Sequence, residues 1–178
     1  MIGSQVNILT QAKSYLSSAT SAQYTEVVAP LFMSSAGAHM RHILDHYIAI
    51  MNGLEIGLVD YDKRSRGGSV ETDIDVALQQ IAKIESFLLS LTDELLAKSF
   101  LLSTEVSIEK KQVETIPTTL ARELIFVSSH AIHHFAMIEQ ISKAQKITTP
   151  KEFGIAPATA TFLRSNSDSN ARKEKCAR

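Results

Sequence analysis

The chain of 178 residues has one cysteine, Cys176, and that scarcity removes whole classes of protein at once. A lone thiol makes no intrachain disulfide, so neither a disulfide scaffold nor a cysteine zinc knuckle is available. An excess of charge of one sign is also lacking. Lys and Arg number 18 against 19 Asp and Glu, a formal net charge of −1. A non-specific nucleic-acid binder would carry a basic surplus, so no nucleic-acid partner is expected. No apolar run reaches membrane-spanning length. The opening MIGSQVNILTQAKSYL lacks the basic start and unbroken apolar stretch of a signal peptide. The expectation is a cytoplasmic protein without a membrane partner. A Gly-rich phosphate loop, a nucleophile elbow and a paired Glu-x-x-His di-iron signature are missing as well.

What is present is a soluble, globular composition, 44% hydrophobic and 21% charged, long enough to bury one core. Apolar residues recur at helical spacing in four stretches: residues 2–20, 34–58, 73–98 and 118–145. Ser34 or Ser35 suits an N-cap for the second, and Asp73 and Asp75 suit the first turn of the third. The polar connector VDYDKRSRGGSVET reads as a loop, and SFLLSTEVSIEKKQVETIPTT as a small hairpin or irregular excursion. Pro117 fits the first turn of the fourth helix. The segment ITTPKEFGIAPATATFLR reads as ordered but irregular. The expected architecture is all-α, a four-helix bundle over residues 1–164 with that excursion between helices three and four. Residues 165–178 are expected to form a disordered polar tail.

All six histidines fall in two clusters, His39, His42 and His46 on the second helix and His130, His133 and His134 on the fourth. At about 100° per residue, His130 and His134 lie inside the apolar stripe of the fourth helix, while His133 lies at its edge. Two imidazoles one turn apart on a core-facing stripe can aim lone pairs at one divalent ion. A third ligand must come from elsewhere, and the second helix offers three histidines on one stripe. Periodicity does not choose among His39, His42 and His46. Several histidines facing an interior must each satisfy two ring nitrogens away from water, which a shared ion achieves for three rings at once. A lone histidine there would instead be an ordinary hydrogen-bonded core residue.

The segments HILD (42–45) and HAIHHFAMI (130–138) resemble the DinB-like superfamily of four-helix-bundle metalloenzymes in order, separation and helix placement. The resemblance covers about residues 5–160. It implies a metal held by His42, His130 and His134, with nickel, zinc or iron as occupant and open positions for water or substrate. It also implies hydrolysis or thiol transfer on a small-molecule substrate, anionic or thiol-containing, and bundles of this type often form homodimers. The rival is a non-catalytic bundle whose histidines bind metal or form a buried polar cluster.

Three residues are candidates for a catalytic proton acceptor: Glu123, His46 and His133. Glu123 falls in the apolar stripe of the fourth helix, where a structural ion pair with Arg41 or another arginine is the plainer reading. Asp45 lies on the polar side of its helix. Arg64 or Arg66 in YDKRSR is placed to meet an anionic substrate, against the simpler reading of a solvated loop.

Overall fold

The periodic stretches become long helices, and all but the first are started by a side chain that accepts from their first free N–H groups. The structure is a computed structural model; it describes the backbone of residues 1–63 and 67–176, and side chains as far as residue 166. Helices α1 (Ile2–Ser18), α2 (Ser21–Thr25), α3 (Ala36–Ile56), α4 (Ile74–Leu89), α5 (Asp93–Ala97), α6 (Leu120–Ala144) and α7 (Pro157–Cys176) follow in chain order. The Ser35 hydroxyl accepts from Ala38 N–H at the start of α3, Asp73 caps α4, and Thr119 accepts from Arg122 N–H at the start of α6. Such caps each contribute about 1 kcal/mol. α1 packs on α4 and α6, and α3 packs on α4 and α6. Leu9, Leu16, Met40, Ile43, Ile81, Leu88, Leu124 and Phe135 are buried between them. Each such side chain stabilises by roughly 1.5–3 kcal/mol through burial, before the entropy of ordering is counted.

The expected all-α class is corrected by a mixed three-stranded sheet. β1 (Leu58–Asp60) runs parallel to β2 (Ser99–Glu105), which runs antiparallel to β3 (Val113–Thr119). The β2–β3 pair is the expected hairpin, but β1 sits at the start of the polar connector read as loop. Three residues are too few to show a period of two. Two glycines make the strand possible. Gly57 ends α3 in the left-handed region at φ 77°. At Gly53 a Cβ would lie 2.6 Å from Val59 Cγ2 and 2.8 Å from the Leu58 carbonyl, so only glycine lets β1 lie against α3.

Three local expectations also change. The third helix stops at Leu89 and restarts as α5, because the Thr92 hydroxyl accepts from Leu95 N–H and caps a new helix. Pro117 lies in β3 opposite Leu101, not in the first turn of α6. Leu101 N–H donates to Gly57 O on the other side. Pro117 therefore turns its N–H-less nitrogen to the open edge, where no ladder bond is lost. The segment read as irregular becomes helical from Pro157, and Phe153 just before it is buried, stacked on Tyr15 and Phe135 at 5.2 and 4.8 Å between centroids. α7 crosses the expected domain boundary at residue 164, and the side chains of residues 167–178 lie outside the described residues. No helix among the described residues is long and apolar enough to cross a membrane.

Candidate metal centre

Contacts between α3 and α6 run in opposite senses along the two helices, His39 meeting His134 and His42 meeting His130. This antiparallel register brings two histidine clusters, some ninety residues apart, to one place. Nε2 of His130 lies 3.0 Å from Nε2 of His42 and 3.2 Å from Nε2 of His134. Two nitrogens bound to one tetrahedral ion at 2.0–2.1 Å would be about 3.3 Å apart. Ligand atoms of His42, His46 and His130 also lie within 4.8 Å of one another. His134 adjoins this group through its contact with His130 Nε2. The Nε2 of His134 meets that of His130 directly, and the Nδ1–H of His46 donates to the His42 carbonyl at 2.8 Å.

Around these rings lies an outer layer. His39 Nδ1 and His134 Nδ1 are 2.9 Å apart. His46 is buried, its ring 4.4 Å from His130 and stacked on Tyr61 at 5.0 Å. The Tyr61 hydroxyl donates to Glu123 Oε2 at 2.6 Å, and Thr118 Oγ1 (2.6 Å) and Arg122 (2.8 Å) donate to Glu123 Oε1. Both oxygens of this fully buried carboxylate are therefore engaged. Its arginine is Arg122; Arg41 instead bridges Asp45 and Glu71, each at 2.8 Å. His133 is exposed at the margin, its ring 6.4 Å from that of His130. Arg64 and Arg66 lie outside the described residues.

Burial and neighbouring charge favour the neutral form of His134 and His39. Loss of solvent, followed by the positive charges that His130, His39, His133 and His46 would carry, pushes His134 down to about 3. His39 is lowered chiefly by burial and then by His133. Neutral imidazole is the form that binds a metal. Tyr61 is raised by burial and by its bond to Glu123, so its hydroxyl remains a donor. A cleft of about 520 Å³ lies along α3 and β1, lined by Asp45, Asn52, Asp60 and Lys63 among others and by no histidine. A second, of about 480 Å³, runs between α6 and the start of α7 with His133 on its wall beside Ile132 and Pro157.

Sequence reasoning missed Tyr61, Thr118 and His39 in their observed roles. The signal for Tyr61 was a large aromatic inside an otherwise polar connector. Nothing local marks Thr118, and only the partner helix reveals what His39 meets.

This arrangement of helices and sheet is the fold of the DinB-like proteins. The chain superposes on a DinB-like protein (YjoA) from Bacillus subtilis with a TM-score of 0.56 at 20% identity, covering 83% of this chain and 98% of that one. A DinB-like protein from Bacillus cereus gives 0.55 at 15% identity, covering 80% and 89%. The likeness read from HILD and HAIHHFAMI therefore holds at the level of fold. An FK506-binding protein 5 from Rhizopus delemar is 29% identical over 109 residues, 61% of this chain. The match spans only 28% of that relative's length. No protein-family model matches. The fold and the three-histidine group are together compatible with a metal site.

Proposed function

We propose that the chain is a metal-dependent enzyme acting on a small molecule, its single divalent transition ion held by His42, His130 and His134. The observation that carries this reading is the meeting of three Nε2 atoms, 3.0 and 3.2 Å apart with His130 between the other two. One neutral ring nitrogen offers either one proton or one lone pair. Neutral imidazole nitrogens brought this close suit one cation, which accepts a lone pair from each ring. When bound, such an ion lowers the pKa of a coordinated water or thiol toward neutrality, the chemistry of hydrolysis and of thiol activation. Imidazole donors suit nickel, zinc and iron alike.

The protein's own groups supply the rest. His46 donates Nδ1–H to the His42 carbonyl, which makes Nε2 its basic nitrogen, 4.4 Å between ring centroids from His130. It is the proposed proton acceptor. Glu123 contributes through Tyr61, which it anchors against the His46 ring. His133, at the exposed margin, serves the substrate rather than the ion. An anionic or thiol-containing substrate suits three neutral ligands that leave the ion's charge uncompensated.

Elemental analysis of protein expressed with nickel, zinc and iron supplied is expected to give close to one ion per chain. His134→Ala should lose the ion and His133→Ala should keep it; the reverse pattern would show the ligand set to be wrong. Azide should shift the visible spectrum of cobalt-loaded protein through an open coordination position. An unshifted spectrum would favour the rival, a closed site without catalysis.

A further inference from the structure

We propose that His39 is a positioning residue for the metal centre: it accepts a hydrogen bond from His134 Nδ1–H and so holds the Nε2 of that ring toward the ion. This rests on the three-histidine centre proposed above. The two Nδ1 atoms are 2.9 Å apart, with ring centroids 5.1 Å apart and planes inclined at 40°. Only one proton fits between them. The Nε2 of His134 points to the other ligand nitrogens, 3.2 Å from His130 Nε2, and a metal takes that lone pair. The proton of neutral His134 is then on Nδ1, and His39 must supply the lone pair there and carry its own proton on Nε2.

The place of His39 follows from the helices. It lies one turn before His42 on α3, where its backbone N–H donates to Ser35 O. The antiparallel partner helix carries His134 one turn beyond His130, so the two pairs stack along the interface. A metal-bound histidine ordinarily donates its other N–H to a carboxylate, a carbonyl or water. An imidazole in that position orients the ligand equally well but brings no negative charge. The ion with its three rings therefore keeps its full double charge, and the open position selects an anion, the substrate class favoured above.

Two substitutions separate positioning from mere packing. Asn attaches an acceptor oxygen to Cγ, where histidine has Nδ1, while Leu keeps the branch and removes the acceptor. With zinc affinity measured by chelator competition, His39→Leu is expected to weaken binding roughly 10- to 100-fold. His39→Asn should recover most of that loss. In the zinc-loaded protein, a slowly exchanging ring N–H resonance of His134 should be present in the wild type and the Asn variant and absent from the Leu variant. Metal-free thermal melts of both variants report whether they fold. Wild-type affinity in His39→Leu, or an Asn variant as weak as Leu, would overturn the assignment while the metal centre stood. A wild-type protein that takes up no zinc would remove the centre and the assignment together.

Discussion

Two polar groups, one fully buried and one largely half-buried, lie on the same face of α6, two turns apart, and they are built on opposite principles. At Glu123 every acceptor has its donor: Tyr61 holds one oxygen, and Thr118 and Arg122 hold the other. At the histidines, nitrogens of the same kind face each other at 2.9–3.2 Å. The first is a saturated knot that ties the turn after β1, the end of β3 and α6 together. The second is a cluster of imidazoles whose arrangement is compatible with a metal ion. In the function proposed above, the saturated group supports the fold and the crowded imidazoles hold the ion.

Breaking the knot should cost fold rather than metal. Glu123→Ala leaves two hydroxyl donors without their acceptor, each worth about 1–3 kcal/mol, so urea denaturation of the metal-free protein should show a loss of roughly 2–5 kcal/mol. A loss under about 1 kcal/mol would mean that the knot is not structural. The converse holds for His130→Ala. Its zinc affinity, by chelator competition, should fall by more than the roughly 100-fold typical of losing an outer partner. Its metal-free stability should change by only about 1 kcal/mol. A variant that unfolds instead would make the cluster structural.

A smaller effect sharpens the link between the two regions. Tyr61→Phe keeps the ring on His46 but removes the donor to Glu123, and should lower stability by about 1–3 kcal/mol while zinc affinity stays near the wild-type value. Lost zinc with intact stability would show the hydroxyl to serve the site instead. Acid tests the cluster alone. His134 is depressed to about 3 in the folded protein, against about 6.5 in an unfolded chain. Between these values the unfolded state binds the extra proton, so metal-free stability should be full above about pH 6.5 and decline as the pH falls toward 3. A flat urea midpoint over that window would show that the rings do not crowd one another. Removing residues 165–178, which we propose lie beyond the folded domain, is the control outside both regions. It should move the urea midpoint by less than the equivalent of about 0.5 kcal/mol, and a larger drop would place them in the domain.

Both histidine-bearing helices were legible to within about two residues, since residues 34–58 and 118–145 enclose Ala36–Ile56 and Leu120–Ala144. The apolar stripe also placed His130 and His134 inward, because helical period is a local property that a run of sequence displays. The register of β1 with β2 was not legible. It pairs Val59 with Leu102 across more than forty residues and depends on Gly53 letting the strand approach. The same holds for Glu123, whose burial could be read but whose partners, Tyr61 and Thr118, come from a connector and a strand edge.

Side-chain identity and helical spacing were enough, unaided, to put imidazoles on two facing stripes and to name a family likeness. Which nitrogen meets which was settled only when α3 and α6 packed in opposite directions, because a helix dictates the angle of a side chain about its own axis and nothing about its neighbour. The pairing of His39 with His134, and of Tyr61 with Glu123, belongs to that second kind of information. Contacts between remote segments follow from the burial of the whole core, which no single stretch of the chain contains.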